Sequence, residues 1–259
     1  MRCYLFLILT VLSFPLLAKK SDTILVATAI WEPNFTNGQG TGLYETLFKQ
    51  VYADYNIKFF YTSYERSKTL VKEGKVDAWL GSYEQEEAFA IYPQLPFDAD
   101  EVTAIYRADR EIDDNFAQAL SEGSVAWIKG YDFDKYFGDI LKQPYLLLDN
   151  ETGLKMVLNG RIDFMIDDST DVQEMIDKFP DQYSQLRTRI FAHLPLFPGF
   201  ADTTKGKKLA SEWDTRLVAL KEQGSVHALF VQFDVPYVLD EPQVVVARLK
   251  PKPPLTSDQ

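Results

Sequence analysis

The chain has 259 residues, a formal net charge of −11, an apolar fraction of 46% and a single cysteine. An acidic balance of this size argues against nucleic acid or an anionic membrane surface as partner. With Cys3 at the very start, a disulfide framework, a thiolate zinc site and thiol catalysis are not expected. Arg2, the apolar run from Tyr4 to Leu17 and the small residue Ala18 read as a secretory signal peptide over residues 1–18. The run is short of the roughly 20 residues a bilayer span needs. Cys3 precedes the apolar run, so it is not placed as an acylated lipoprotein cysteine. The residues beyond Ala18 suffice for one large domain or two of ordinary size.

Thr23 to Ala29 reads as a buried strand, with Trp31-Glu32-Pro33 turning out of it. Asn37-Gly38-Gln39-Gly40-Thr41-Gly42 lacks the spacing of a dinucleotide turn and reads as a flexible loop. Leu43, Leu47 and Val51, with Phe48 and Tyr52 beside them, predict an amphipathic helix. Ile57 to Tyr61 is a second strand, and Ser63 is placed to cap a helix that ends at Gly74. Val102 to Tyr106 is a strand where the chain crosses to a second lobe. That lobe begins with the segment around Phe116 to Leu120, and a strand at Val125 to Ile128 and Asp132 as the cap of a following helix are expected. Tyr145 to Leu148 is a further strand, and Asn150 is expected to cap a helix leading to Gly160. A helix through Met175, a returning strand from Ile190 to Leu196 and a long helix over Leu209 to Leu220, closed by Gly224, complete the order. His227 reads as ordinary packing on a short apolar helix, and His193 as structural.

One pattern occurs twice. Gly74-Lys75-Val76-Asp77 and Gly160-Arg161-Ile162-Asp163 each follow a helix and precede a short apolar strand. Glycine stops a helix by taking the left-handed conformation that a Cβ disfavours. Two lobes explain the duplication; two unrelated helix-to-strand turns are the simpler alternative. Alternating strands and helices make the class α/β, with lobe one in 22–105 and 193–240, lobe two in 106–192, and a tail from 241 to 259. Open α/β sheets bind ligands beyond the carboxyl ends of their strands, which directs attention to Gly81-Ser82-Tyr83 and Asp167-Asp168. Those two aspartates are neighbours, so only one is expected to enter a cleft easily. Trp31 at a strand end is placed either to stack on a ligand or to pack in the core. Arg66, in the first turn of a helix, either pairs with a carboxylate such as Glu65 or reaches the cleft.

In order and spacing these features resemble the family 3 bacterial extracellular solute-binding proteins, the periplasmic receptors of polar amino-acid ABC transporters. The resemblance runs from about Thr23 to Phe233. It rests on Trp31-Glu32-Pro33 with Leu43-Tyr44-Glu45, the two glycine-to-aspartate signatures, Lys129-Gly130-Tyr131-Asp132, and the segment Gly206 to Gly224. It implies two α/β lobes, a two-strand hinge and a small polar ligand in the cleft between them. It further implies a monomer without cofactor or metal, secreted to the periplasm and serving an inner-membrane permease or sensor. Trp31 would cover the ligand, Ser82 would offer hydrogen bonds, Tyr131 would belong to the second lobe's turn toward the ligand, and Asp168 would hold an amino group. The family's carboxylate-binding arginine should fall near residue 87, where this chain has Glu87. Glu87 either faces the cleft or points to solvent with its acidic neighbours; the first arrangement suits a cationic or neutral ligand. No convincing catalytic pairing is visible, so a receptor is expected; a dehydratase-like enzyme on the same scaffold and a sensory lobe pair are the alternatives.

Overall fold

The computed structural model describes residues 22–31, 34–112, 115–178 and 180–240. The signal peptide over 1–18, the tail over 241–259, and Glu32 and Pro33 lie outside them. The first half runs β1 (Thr23–Thr28), α1 (Leu43–Val51), β2 (Asn56–Tyr61), α2 (Tyr64–Lys72), β3 (Ala78–Tyr83), β4 (Ala90–Ile91) and β5 (Asp98–Arg107). The second runs α3 (Phe116–Glu122), β6 (Val125–Ile128), α4 (Asp134–Phe137), β7 (Tyr145–Leu147), α5 (Asn150–Leu158), β8 (Phe164–Asp168), α6 (Ser169–Lys178) and α7 (Pro180–Tyr183). The chain then returns through β9 (Leu186–Ala201) to α8 (Thr204–Glu222) and α9 (Ser225–Gln232).

The strands join in the order β2-β1-β3-β9-β5-β8-β6-β7, with β4 on β9. Each end of that row is parallel: β1 with β2 and β3 at one end, β6 with β7 and β8 at the other. The two long strands in the middle are antiparallel and carry the chain out and back. β9 pairs with β3 through its last residues and with β5 along the rest, while β5 takes β8 as its other neighbour from Val102 onward. Where β5 acquires that neighbour, β9 carries an extra residue, Phe191, between the partners of Val102 and Thr103. Bulges of this kind bend a strand locally. The expected returning strand is therefore longer than Ile190 to Leu196, and the outgoing one begins at Asp98 rather than Val102.

The duplicated motif does the same work in both lobes. Gly74 and Gly160 have φ of 68° and 64° and close their helices with matching hydrogen bonds, Lys75 N–H to Leu70 and Arg161 N–H to Met156, each 2.9 Å. Each aspartate then accepts the N–H one residue ahead of the first pair its strand makes with the parallel neighbour, Asp77 from Leu25 before Val26–Ala78 and Asp163 from Ser124 before Val125–Phe164, both at 2.8 Å. A carboxylate is well suited to this, since an N–H just ahead of a ladder has no strand partner on that side.

Three expectations are corrected by local geometry. The cap of α5 is Asp149, which accepts from the Thr152 N–H at 2.7 Å, not Asn150. Asp132 does not cap α4; it has φ of 51° and turns its carboxylate to Lys135, 2.9 Å away. The Gly38–Gly42 loop is tied down, because the buried Glu45 carboxylate accepts from the N–H groups of Asn37, Gly40 and Gly42. Ser63 caps α2 as expected.

The candidate ligand cleft

Between the two halves of the sheet lies a cavity at the carboxyl ends of β3 and β8 and along the first half of β5. It has about 90 Å³ of room for water centres, enough for several waters or a small solute. Six carboxylates line it: Asp98, Asp100 and Glu101 from β5, Asp167 and Asp168 from β8, and Asp171 from α6. Six aromatic rings complete the wall, Trp31, Phe35, Tyr44, Tyr64, Tyr83 and Tyr131. No Lys, Arg or His is among the described residues that line it.

A bulge brings the first lobe's wall into place. On β3, Leu80 and Gly81 together oppose the single residue Pro198 of β9, between the pairs Trp79–Gly199 and Ser82–Phe197. Proline has no N–H to give to a ladder, so a two-for-one mismatch costs little at that position. Gly81 accordingly adopts φ of 79°, and a Cβ there would sit 2.6 Å from the Trp31 ring. The indole thus lies on the backbone of Gly81 and closes that side of the cavity. On α1, Tyr44 donates to Asp98 at 2.8 Å, and on β3, Tyr83 donates to Asp100 at 2.7 Å. Asp168 accepts from the N–H groups of Glu101 and Thr170. Asp167 accepts the Asp168 N–H through Oδ1, while its Oδ2 is buried with no hydrogen-bond partner.

Burial without a cation controls the acidity of these groups. It pushes Asp98 up to about 7 and, with the Asp168 charge beside it, Asp171 to about 7 as well. Burial is also the leading cause that holds Asp100 and Asp167 well above the carboxylate range and raises Asp168. The hydroxyls of Tyr44, Tyr64, Tyr83 and Tyr131 are driven far upward by the same burial, so they act as donors at neutral pH.

Of the residues singled out in the sequence, Trp31, Tyr131 and Asp168 line this cavity, and Arg66, Ser82 and Glu87 do not. Arg66 is exposed and lies 3.6 Å from Glu73. Ser82 alternates away from the cavity that its neighbours Gly81 and Tyr83 line, and donates to Glu86 at 2.8 Å. Glu87 faces Lys68 at 3.2 Å and Lys135 at 3.7 Å. Both neighbouring aspartates, Asp167 and Asp168, reach the cavity, because the strand ends there and α6 starts at Ser169. His193 is 3.5 Å from Glu101, and His227 is exposed on α9 rather than packed.

Beside the cavity the lobes are tied by a buried ion cluster. Lys68 of α2 sits 2.7 Å from Glu86 and donates to the Gly130 carbonyl at 3.1 Å in the second lobe. The Lys68 side chain is only 7% exposed and that of Glu86 0%. Burial pulls the Lys68 pKa down, but the Glu86 charge and hydrogen bond outweigh it, and the net shift is upward. Asp132 at 3.7 Å completes the ring around the ammonium. Glu86, Glu87 and Asp132 converge closely enough to suggest a cation site. Lys68 occupies the position a metal would take.

No protein-family model matches the sequence, and no curated protein matches it. Solved structures do match in fold. A mutant of ArgBP from T. maritima aligns with a TM-score of 0.63 at 16% identity, over 82% of this chain and 95% of that one. An ancestral arginine-binding protein bound to arginine aligns at 0.65 and 13% identity, over 82% and 97%. A histidine kinase sensor domain with similarity to periplasmic binding proteins aligns at 0.65 and 17% identity, over 82% and 96%. The chain therefore has the two-lobed α/β fold of the periplasmic binding proteins.

Proposed function

We propose that this chain is a non-catalytic receptor that closes its two lobes over a small polar solute and presents it to an inner-membrane partner. The observation that carries the reading is the cavity itself. Both halves of the sheet contribute polar groups to one small cavity, beside a two-strand crossing on which rigid lobes can turn. The lobes in this reading are 22–105 with 193–240, and 106–192. Trp31, Tyr131 and Asp168 are the solute contacts among the residues expected from the sequence; Tyr44, Tyr83, Asp98, Asp100 and Asp167 join them. The signal-like residues 1–18 support a periplasmic location, and among the described residues no helix is long and apolar enough to cross a membrane. The likeness in fold to the substrate binding protein of an amino acid ABC transporter and to a histidine kinase sensor domain supports either a permease or a sensor as the partner.

A thermal-shift panel of small solutes tests the reading, because a ligand that binds only the folded state raises stability by RT ln(1 + [L]/Kd). One class of solute should raise Tm and be recovered chemically unchanged. Turnover of the stabilising solute would instead identify an enzyme, with carboxyls held near pH 7 as its acid groups.

A further inference from the structure

We propose that the cavity is built for a small organic cation that carries no carboxylate, of the diamine or guanidino-amine class. This deepens the receptor reading and rests on it. The first argument is charge. Six carboxylates meet in one small space, and the donors that hold them are neutral. Tyr44 serves Asp98, Tyr83 serves Asp100, and backbone N–H groups serve Asp168 and one oxygen of Asp167. Such donors orient a carboxylate without neutralising it. The cations that flank the cleft are committed elsewhere: Lys68 to Glu86, Lys129 to Glu65, and Lys135 to Asp132. Positive charge that would let these acids ionise together must come from the solute.

The second argument is Asp167, a residue of the cavity wall whose buried Oδ2 has no donor of its own. Groups of this kind are rare in native proteins and ask for a missing partner. An ammonium or guanidinium supplies several N–H donors together with charge. The third is the ring of aromatic side chains, whose faces attract organic cations.

A solute carboxylate has no place here. A carboxylate is held by a bidentate arginine or by free N–H groups at a helix start. No arginine is among the described residues lining the cavity, and the Thr170 N–H at the start of α6 is already given to Asp168. An α-amino acid would bring its negative group among six acidic side chains.

The test uses the purified chain without residues 1–18, with thermal shift and calorimetry at pH 6 and pH 8. The probes are 1,4-diaminobutane, agmatine, L-glutamate, L-glutamine and D-glucose. The groups facing the solute are the six carboxylates, the four tyrosines Tyr44, Tyr64, Tyr83 and Tyr131, and His193 behind Glu101. With Asp98 and Asp171 at about 7, a cation displaces protons on binding. We expect one of the two amines to bind at least tenfold tighter at pH 8 than at pH 6, with proton release at pH 6. Asp167→Asn and Asp171→Asn should each weaken it at least tenfold while leaving the Tm of the empty protein unchanged or higher, since each removes an unneutralised acid. If glutamate, glutamine or glucose binds and neither amine does, the cation inference is wrong and the receptor reading stands. Amine binding indifferent to pH and to both substitutions would mean attachment elsewhere on an acidic surface, and also overturns it. If no probe binds, both readings lose their support.

Discussion

Replacing Lys68 by alanine should destabilise the protein far more than replacing any exposed lysine. Lys68 is 7% exposed and its partner Glu86 fully buried. The substitution leaves the Glu86 carboxylate with only the hydroxyls of Tyr64 and Ser82 and the Tyr83 N–H around it. Breaking a buried pair by removing one member costs about 3–5 kcal/mol, because the remaining charge is stranded. Lys75, 59% exposed and 2.8 Å from Glu73, is the internal control, since an exposed pair is worth about 0–1 kcal/mol. Urea unfolding followed by tryptophan fluorescence reads both. With a slope of about 2–3 kcal/mol/M, Lys68→Ala should lower the midpoint by about 1–2 M and Lys75→Ala by less than about 0.5 M. Adding Glu86→Gln to a Lys68→Met background removes the stranded charge and should recover much of the loss. Equal midpoints for the two alanine variants would show that the buried cluster does not hold the lobes as described.

Three further outcomes are expected from the same geometry. The empty protein should lose stability as pH rises from about 5 to 8: Asp98 and Asp171 have folded values of about 7, raised above the unfolded range near ~4. Stability from such groups is complete below the unfolded value and is lost as pH passes the folded one, so Tm should be higher at pH 5.5 than at pH 8; a flat or rising profile would contradict the burial of these acids. Gly81→Ala, which puts a Cβ 2.6 Å from Trp31 at φ of 79°, should cost about 1–2 kcal/mol from the left-handed backbone alone and weaken solute binding by moving the indole; unchanged calorimetric binding would detach Trp31 from the site. Asp163→Ala, which strands the Ser124 N–H, should cost about 1–3 kcal/mol and show as faster amide exchange at the start of β6; unaltered exchange would mean that the duplicated aspartate does not anchor the strand.

The fold is legible in the sequence because its signals are local. The two glycine-to-aspartate motifs place a helix stop, a strand start and a hydrogen bond to the next strand within a few residues, and period-four apolar spacing marks α1. The cavity is half legible. Trp31 and Asp168 lie just after or at a strand's end, where position directs attention to a cleft, while Tyr131 is singled out only by the family resemblance. Arg66 and Ser82 escape such reasoning because the direction of a side chain depends on register, and the bulge at Leu80-Gly81 depends on Pro198, more than a hundred residues away in the sequence. The expectation of an acidic pocket at Glu87 fails in its particulars, since Glu87 belongs to the Lys68 cluster. The acids that do line the cavity leave a signal in Asp98-Ala99-Asp100-Glu101: aspartates recurring every second residue within a strand, where they are normally depleted. That depletion is also why the strand reads from the sequence as starting at Val102, four residues late, with its acids outside it.

Spin-label distances across the cleft test closure on a solute most directly. Labels at Lys58→Cys and Tyr145→Cys, both on exposed strand positions in opposite lobes, are measured with and without the solute that raises Tm most. A broad, longer distribution for the empty protein that narrows and shortens with the solute is the result predicted here. One unchanged distribution in both conditions, or no solute able to raise Tm at all, would contradict it.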